Sequence, residues 1–120
     1  MPDPLLITVA PTGAETAKED CPQLPTTLEE LVATAKECEA AGAAMIHVHI
    51  RDAEHRPTLD AGRLRDTVAA LREGTDLVVQ LSTGGSVHDP LDLRLKVLDA
   101  QPDSCSLTMG TTNFGDDVFS

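Results

Sequence analysis

The chain has 120 residues, 41 % of them hydrophobic, and twenty acidic residues against nine basic ones give a formal net charge of −11 at pH 7. That length suits one domain with a modest core rather than two, and no apolar run nears the roughly 18 residues of a membrane-spanning helix. The charge repels a nucleic-acid backbone, and with Phe114 and Phe119 as its only aromatics the chain has no stacking platform for bases, so neither nucleic acid nor membrane is expected as a partner.

Met1-Pro2-Asp3-Pro4 carries no positive charge, and the apolar run Leu5–Ala10 is too short for an export signal, so the expectation is a cytoplasmic protein. Cys21, Cys38 and Cys105 are odd in number and lack CxxC spacing, which reads as three reduced thiols. Leu5–Ala10, ended by Pro11-Thr12-Gly13, predicts a first buried strand and a turn. Residues 15–25 carry no period and predict a long loop. Thr27 with Glu30 three residues on is a capping box. It opens a helix that places Leu28, Leu31, Val32, Ala35 and Cys38 on one face and stops near Gly42.

The second strand is the most informative stretch. Across Ala44–Asp52 the residues alternate with period two, so Ile46, Val48 and Ile50 face one way and His47, His49 and Arg51 the other. Two histidines at i and i+2 sit about 6.6 Å apart along a strand, and their imidazoles can lean together onto one metal ion. The alternative is a polar face meeting solvent. A parallel strand is normally buried on both faces, where imidazole and guanidinium groups need partners.

A polar loop through His55 leads to a second helix from about Asp60, with Leu64, Val68 and Leu71 on one side before Gly74. Asp76–Leu81 is the third strand, closed by Ser82-Thr83-Gly84-Gly85. Asp89-Pro90 predicts a helix start with Asp89 as N-cap, presenting Leu91, Leu95 and Leu98. Ser104–Met109 is the fourth strand, with Cys105 on its helix-packed side, and 110–115 is an exit loop.

The order β-α-β-α-β-α-β calls for a right-handed parallel sheet, either half of a barrel or a small open sheet. Polar groups gather at the C-terminal end of each strand: Glu15, His47 and His49, Gln80 and Ser82, Ser106 and Thr108. Ligands bind at that edge in α/β folds. A catalytic zinc needs a third protein ligand, for which Glu15 and His55 are candidates, although Glu15 reads better as a substrate contact. Ser82–Gly85 can offer backbone N–H groups to an anion or be an ordinary turn. Arg51 can anchor a carboxylate or satisfy Asp52 or a backbone carbonyl.

Taken together, Thr12-Gly13-Ala14-Glu15-Thr16, Pro22-Gln23-Leu24-Pro25, His47-Val48-His49-Ile50-Arg51, Gln80-Leu81-Ser82-Thr83-Gly84-Gly85 and the segment 110–117 resemble the β-keto acid cleavage enzymes, whose founding activity is 3-keto-5-aminohexanoate cleavage. The resemblance implies a (β/α)8 barrel, of which these residues would be the N-terminal half, a single partial domain over 1–120 with four strands and three helices. It implies Zn2+ on His47 and His49, and substrate contacts from Glu15, Ser82, Gly85, Ser106 and Thr108. The third zinc ligand and the general base would lie outside these 120 residues, which alone would be inactive or weak. The implied reaction joins a β-keto acid to acetyl-CoA and releases acetoacetate and a new CoA thioester. Ser106, Thr108 and His55 stand where the family can carry threonine, asparagine and glycine. Two other readings fit the His-bearing strand: a different metal-dependent barrel hydrolase or aldolase, and a non-catalytic half-barrel that works as an assembly module. Open sheet edges predict a homo-oligomer.

Overall fold

Four short strands form one parallel sheet in the computed structural model, which describes residues 2–120. In chain order, β1 (Thr8–Val9) leads through a long turn-rich segment into α1 (Leu28–Ala40), and β2 (Met45–Val48) follows. A two-stranded antiparallel ribbon of β3 (Ile50–Arg51) and β4 (Pro57–Thr58) precedes α2 (Ala61–Gly74) and β5 (Val78–Leu81). Next come α3 (Leu91–Leu95), a 3-10 turn over Lys96–Ala100, and β6 (Ser104–Cys105). A hairpin of β7 (Thr112–Phe114) and β8 (Asp117–Phe119) completes the order.

The sheet runs β1-β2-β5-β6, so every parallel neighbour is the next main strand along the chain. A doubly wound sheet reverses its strand order at a switch point; this one does not, and its sense of winding is that of a (β/α)8 barrel. Among the described residues no helix is long and apolar enough to cross a membrane.

The helices begin where their caps dictate. Thr27 Oγ1 accepts the Glu30 N–H at 3.2 Å while Glu30 Oε1 accepts the Thr27 N–H at 3.1 Å, the reciprocal pair that the sequence predicts. Asp60 caps α2 by accepting the Arg63 N–H at 2.9 Å. The core lies between helices and sheet: Leu31 and Ala35 of α1 and Leu64, Val68 and Leu71 of α2 meet Ile46, Val48, Val79 and Leu81 of the strands. Burying each large aliphatic side chain is worth about 1.5–3 kcal/mol, so these contacts fix the sheet and with it the residues on its other face.

Several expectations fail in one direction, toward exposure. The Leu5–Ala10 strand shrinks to two residues, with Leu5 and Leu6 in solvent. Leu91, Leu95 and Leu98 stay exposed, and from the third helical stretch Val97 is buried in the core with Ala100 half-buried against it. Cys105 is exposed rather than packed under a helix, because β6 is a sheet edge with nothing laid over it. Asp89 does not cap α3; its carboxylate accepts the Ser86 N–H at 2.7 Å and closes the turn after β5, leaving Pro90 at the cap position. The exit loop is a hairpin, turned at Gly115 with φ +61, as a glycine in the first place of a two-residue connection permits. All three cysteines are free, as expected.

Candidate metal and substrate site

The predicted continuous strand Ala44–Asp52 breaks at His49. β2 pairs with β5 through Val48, and Ile50 and Arg51 then leave the parallel sheet to pair with β4. Ile46, Val48 and Ile50 are buried as predicted, but Arg51 is buried too, at 2 % exposure. The histidines remain together: their ring centroids lie 5.1 Å apart at 66°.

Strand register supplies what orients His47. His47 pairs with Gln80 across β2 and β5, and Gln80 pairs with Ser104 across β5 and β6. Their side chains follow that row: His47 Nδ1 donates to Gln80 Oε1 at 2.7 Å, and Gln80 Nε2 donates to Ser104 Oγ at 3.1 Å. A proton held on Nδ1 leaves the Nε2 lone pair of His47 free to bind a metal. The alternation puts Gln80 at this edge without naming its partner and gives Ser104 no role; the signal for both is the shared register of polar residues on three strands. Burial first, then the neighbouring charges of His47 and Arg51, pull the His49 imidazole down to about 4. It is therefore neutral at pH 7, the form that ligates.

The donors thus fit a metal as far as they go. Among the described residues no third histidine, cysteine or carboxylate joins them. His55 lies elsewhere, with φ +65 and its Nδ1 2.8 Å from Thr26 Oγ1.

Beside His49 a cavity of about 200 Å³ is lined by Glu15, Ser82 and Gly85, three of the residues expected to contact substrate, and is walled by Phe114 and Phe119 from the hairpin. Phe119 is held there by the Arg94 guanidinium, 4.5 Å from its ring centroid. Arg94 in turn donates to the carbonyls of Thr83 and Ser120 at 2.9 and 2.8 Å. Gly85 has φ +58, and a Cβ there would lie 2.6 Å from Asp89 Oδ2 and 2.9 Å from Leu59 Cδ1, so the turn requires glycine. Ser106 stands just outside this cavity and braces it, since its Oγ accepts the Thr83 N–H at 3.4 Å and its carbonyl accepts the Thr83 hydroxyl. Thr108 is exposed and does not join the group.

A pair of imidazoles at the C-terminal end of parallel strands, beside a pocket with an acid and a glycine turn, lies at the edge where barrel folds carry their ligand sites. Residues 4–120 match the beta-keto acid cleavage enzyme family, and the chain belongs to it. It is 41 % identical to the 3-keto-5-aminohexanoate cleavage enzyme of Fusobacterium nucleatum, over 99 % of this chain and 44 % of that protein. Identity is 42 % to the enzyme of the same name from Acetoanaerobium sticklandii, over 96 % and 43 %. With the 3-oxoadipate:acetyl-CoA acetyltransferase of Cupriavidus necator it is 32 %, over 99 % and 42 %. The chain therefore spans less than half the length of these curated relatives. Among solved structures, the apo structure of ObcA superposes with a TM-score of 0.64 at 23 % identity, covering 80 % of this chain and 25 % of that one, which supports the fold.

Proposed function

We propose that this chain carries the metal-binding and acid-recognising part of a zinc-dependent β-keto acid cleavage enzyme, which joins a β-keto acid to acetyl-CoA and releases acetoacetate and a new CoA thioester. Supporting this reading are the family match, the acetyl-CoA-dependent relatives and, above all, the oriented histidine pair beside the Glu15, Ser82 and Gly85 cavity. In this reading His47 and His49 hold Zn2+ through their free nitrogens, and a third ligand and the general base come from outside residues 1–120. Zinc held there supplies Lewis-acid stabilisation of the charge that develops on a keto oxygen.

The other residues bind and position. Ser82 and the backbone at Gly85 receive the carboxylate end of the acid, and Ser106 braces the turn that presents them through its contacts with Thr83. Glu15, at the rim, takes a distal cationic or hydroxyl group. Phe114 and Phe119 cover the pocket and exclude water.

Elemental analysis of the folded chain and of the His47→Ala/His49→Ala variant tests the metal reading. About one zinc per chain, lost in the variant, is the expected result for a site with a defined ligand set. Zinc retained after both substitutions overturns it. Turnover of a panel of β-keto acids with acetyl-CoA, followed as acetoacetate, tests the reaction in a chain extended to the length of its relatives.

The same reading includes self-association. β1 and β6 are uncovered edges, and Leu5, Leu6, Leu107 and Met109 stand 85, 61, 70 and 87 % exposed, a combination that pairs with another chain unless blocked. Light scattering of a monodisperse monomer would count against it.

A further inference from the structure

The short helix α3 is turned the opposite way from what its apolar residues predict. Leu91, Leu93 and Leu95 are exposed, and Arg94 is the one residue of the helix drawn out of solvent. Its Nε donates to the Thr83 carbonyl at 2.9 Å and its Nη1 to the Ser120 carbonyl at 2.8 Å, while Cζ lies 4.5 Å from the centroid of the Phe119 ring. No aspartate or glutamate pairs with it within 4.0 Å among the described residues. The cation therefore serves a ring face and two carbonyls, partners that suit a planar guanidinium.

From Leu107 to Ser120 every residue except Phe119 is exposed, so this ring is the hairpin's one buried attachment. A Cβ built at Gly84 would lie 3.6 Å from Phe119 Cζ, which puts the end of the ring against the glycine turn. A second tie, from His88 Nε2 to Asp117 Oδ2 at 3.7 Å, joins two exposed side chains and is screened by water.

Arg94 thus joins two walls of one cavity. Thr83 lies between Ser82 and Gly84, which line the cavity of about 200 Å³ together with Glu15 and His49, and Phe119 closes it from the hairpin. That volume is below the ~300–1,000 Å³ of pockets for drug-sized ligands. Arg94 itself is not part of the cavity wall.

We propose that Arg94 is a positioning residue that sets which acids this cavity takes. By clamping Phe119 to the Ser82–Gly85 turn, it keeps the cavity to the size of a short aliphatic β-keto acid and shuts out one with an aryl or long acyl end. The size role rests on the reading of this cavity as the place of the acid; the clamp does not.

The chain has two phenylalanines, so ring-13C-labelled phenylalanine reports on the clamp directly, with Phe114→Leu assigning the signals. Arg94→Met should move the Phe119 ring signals toward those of free phenylalanine, and Arg94→Lys, which keeps a cation, should restore part of the shift. With Zn2+ present, acetoacetate should bind about tenfold more tightly than benzoylacetate, the scale on which an apolar pocket discriminates by size. Arg94→Met and Phe119→Leu should each narrow that ratio several-fold, and adding Arg94→Met to Phe119→Leu should change nothing further. Unmoved Phe119 signals in a folded Arg94→Met chain overturn the clamp. A ratio unchanged by Arg94→Met, or one changed further on top of Phe119→Leu, overturns the size role. Binding of neither acid by the wild-type chain overturns the cavity reading and the size role with it, while the Phe119 signals still decide the clamp.

Discussion

His47 Nδ1 and Gln80 Oε1 face each other at 2.7 Å across two strands whose register pairs those same residues. The amide fixes the imidazole's tautomer and its ring plane together. Gln80→Leu should therefore weaken metal binding by about 10–100-fold, the usual cost of losing such an outer partner, while Gln80→Glu, which still accepts from Nδ1–H, should retain it. Titration with Co2+ followed by its absorption bands measures this directly, and equal affinity in the Leu variant would show that His47 is oriented by something else.

Glu30 gives a pH dependence with a definite sign. The hydrogen bond from Lys18 at 2.7 Å, aided by the Thr27 N–H and hydroxyl, holds its carboxyl down at about 2 against an ordinary 4.5. A carboxyl depressed on folding contributes stability that is fully present above its unfolded pKa and is lost as pH falls through the folded one. Urea midpoints measured from pH 6 down to 2 should fall in the acid part of that range, and Glu30→Gln should flatten the slope between 4.5 and 2. Thr27→Ala removes the other half of the capping box and should cost about 1 kcal/mol at neutral pH.

Gly85 and Gly13 make a controlled pair. Both have positive φ, +58 and +73, but a Cβ at Gly13 meets nothing within 4 Å whereas one at Gly85 strikes Asp89 and Leu59. Gly13→Ala should cost only the backbone strain, about 1–2 kcal/mol. Gly85→Ala should cost more, because Asp89 must move and release the Ser86 N–H. Denaturation curves of equal midpoint for the two variants would contradict this.

His55 occupies a left-handed position, φ +65. Histidine is among the residues that tolerate this region, and its hydrogen bond to the buried Thr26 offsets the strain. His55→Ala keeps the strain and loses the bond, so a loss of about 1 kcal/mol is expected. His55→Gly loses the bond but relieves the strain and should come closer to neutral; an Ala variant as stable as the Gly variant would refute the account.

Local chemistry was legible in the sequence wherever the responsible groups are neighbours along the chain. Thr27 and Glu30 make their box, α2 begins at Asp60, and His47 and His49 alternate away from Ile46 and Val48. Alternation could not show that the strand breaks after Val48, because pairing of Ile50 and Arg51 with Pro57 and Thr58 depends on the fold of the following loop. Nor could apolar spacing show whether a face is covered. Leu91, Leu95 and Cys105 have the right spacing but lie where no element packs on them. The Gln80 to Ser104 contact spans 24 positions and exists only through register.

The uninterrupted β1-β2-β5-β6 order has a consequence for how the chain is built. Each strand leaving the ribosome finds its neighbour already emerged, since no strand must wait for a later one to be inserted between them. The order of synthesis can serve as the order of assembly, N-terminal unit first. His47 then meets Gln80 only once the third of these strands has docked, so tautomer selection at the histidine pair is timed by translation rather than available from the start.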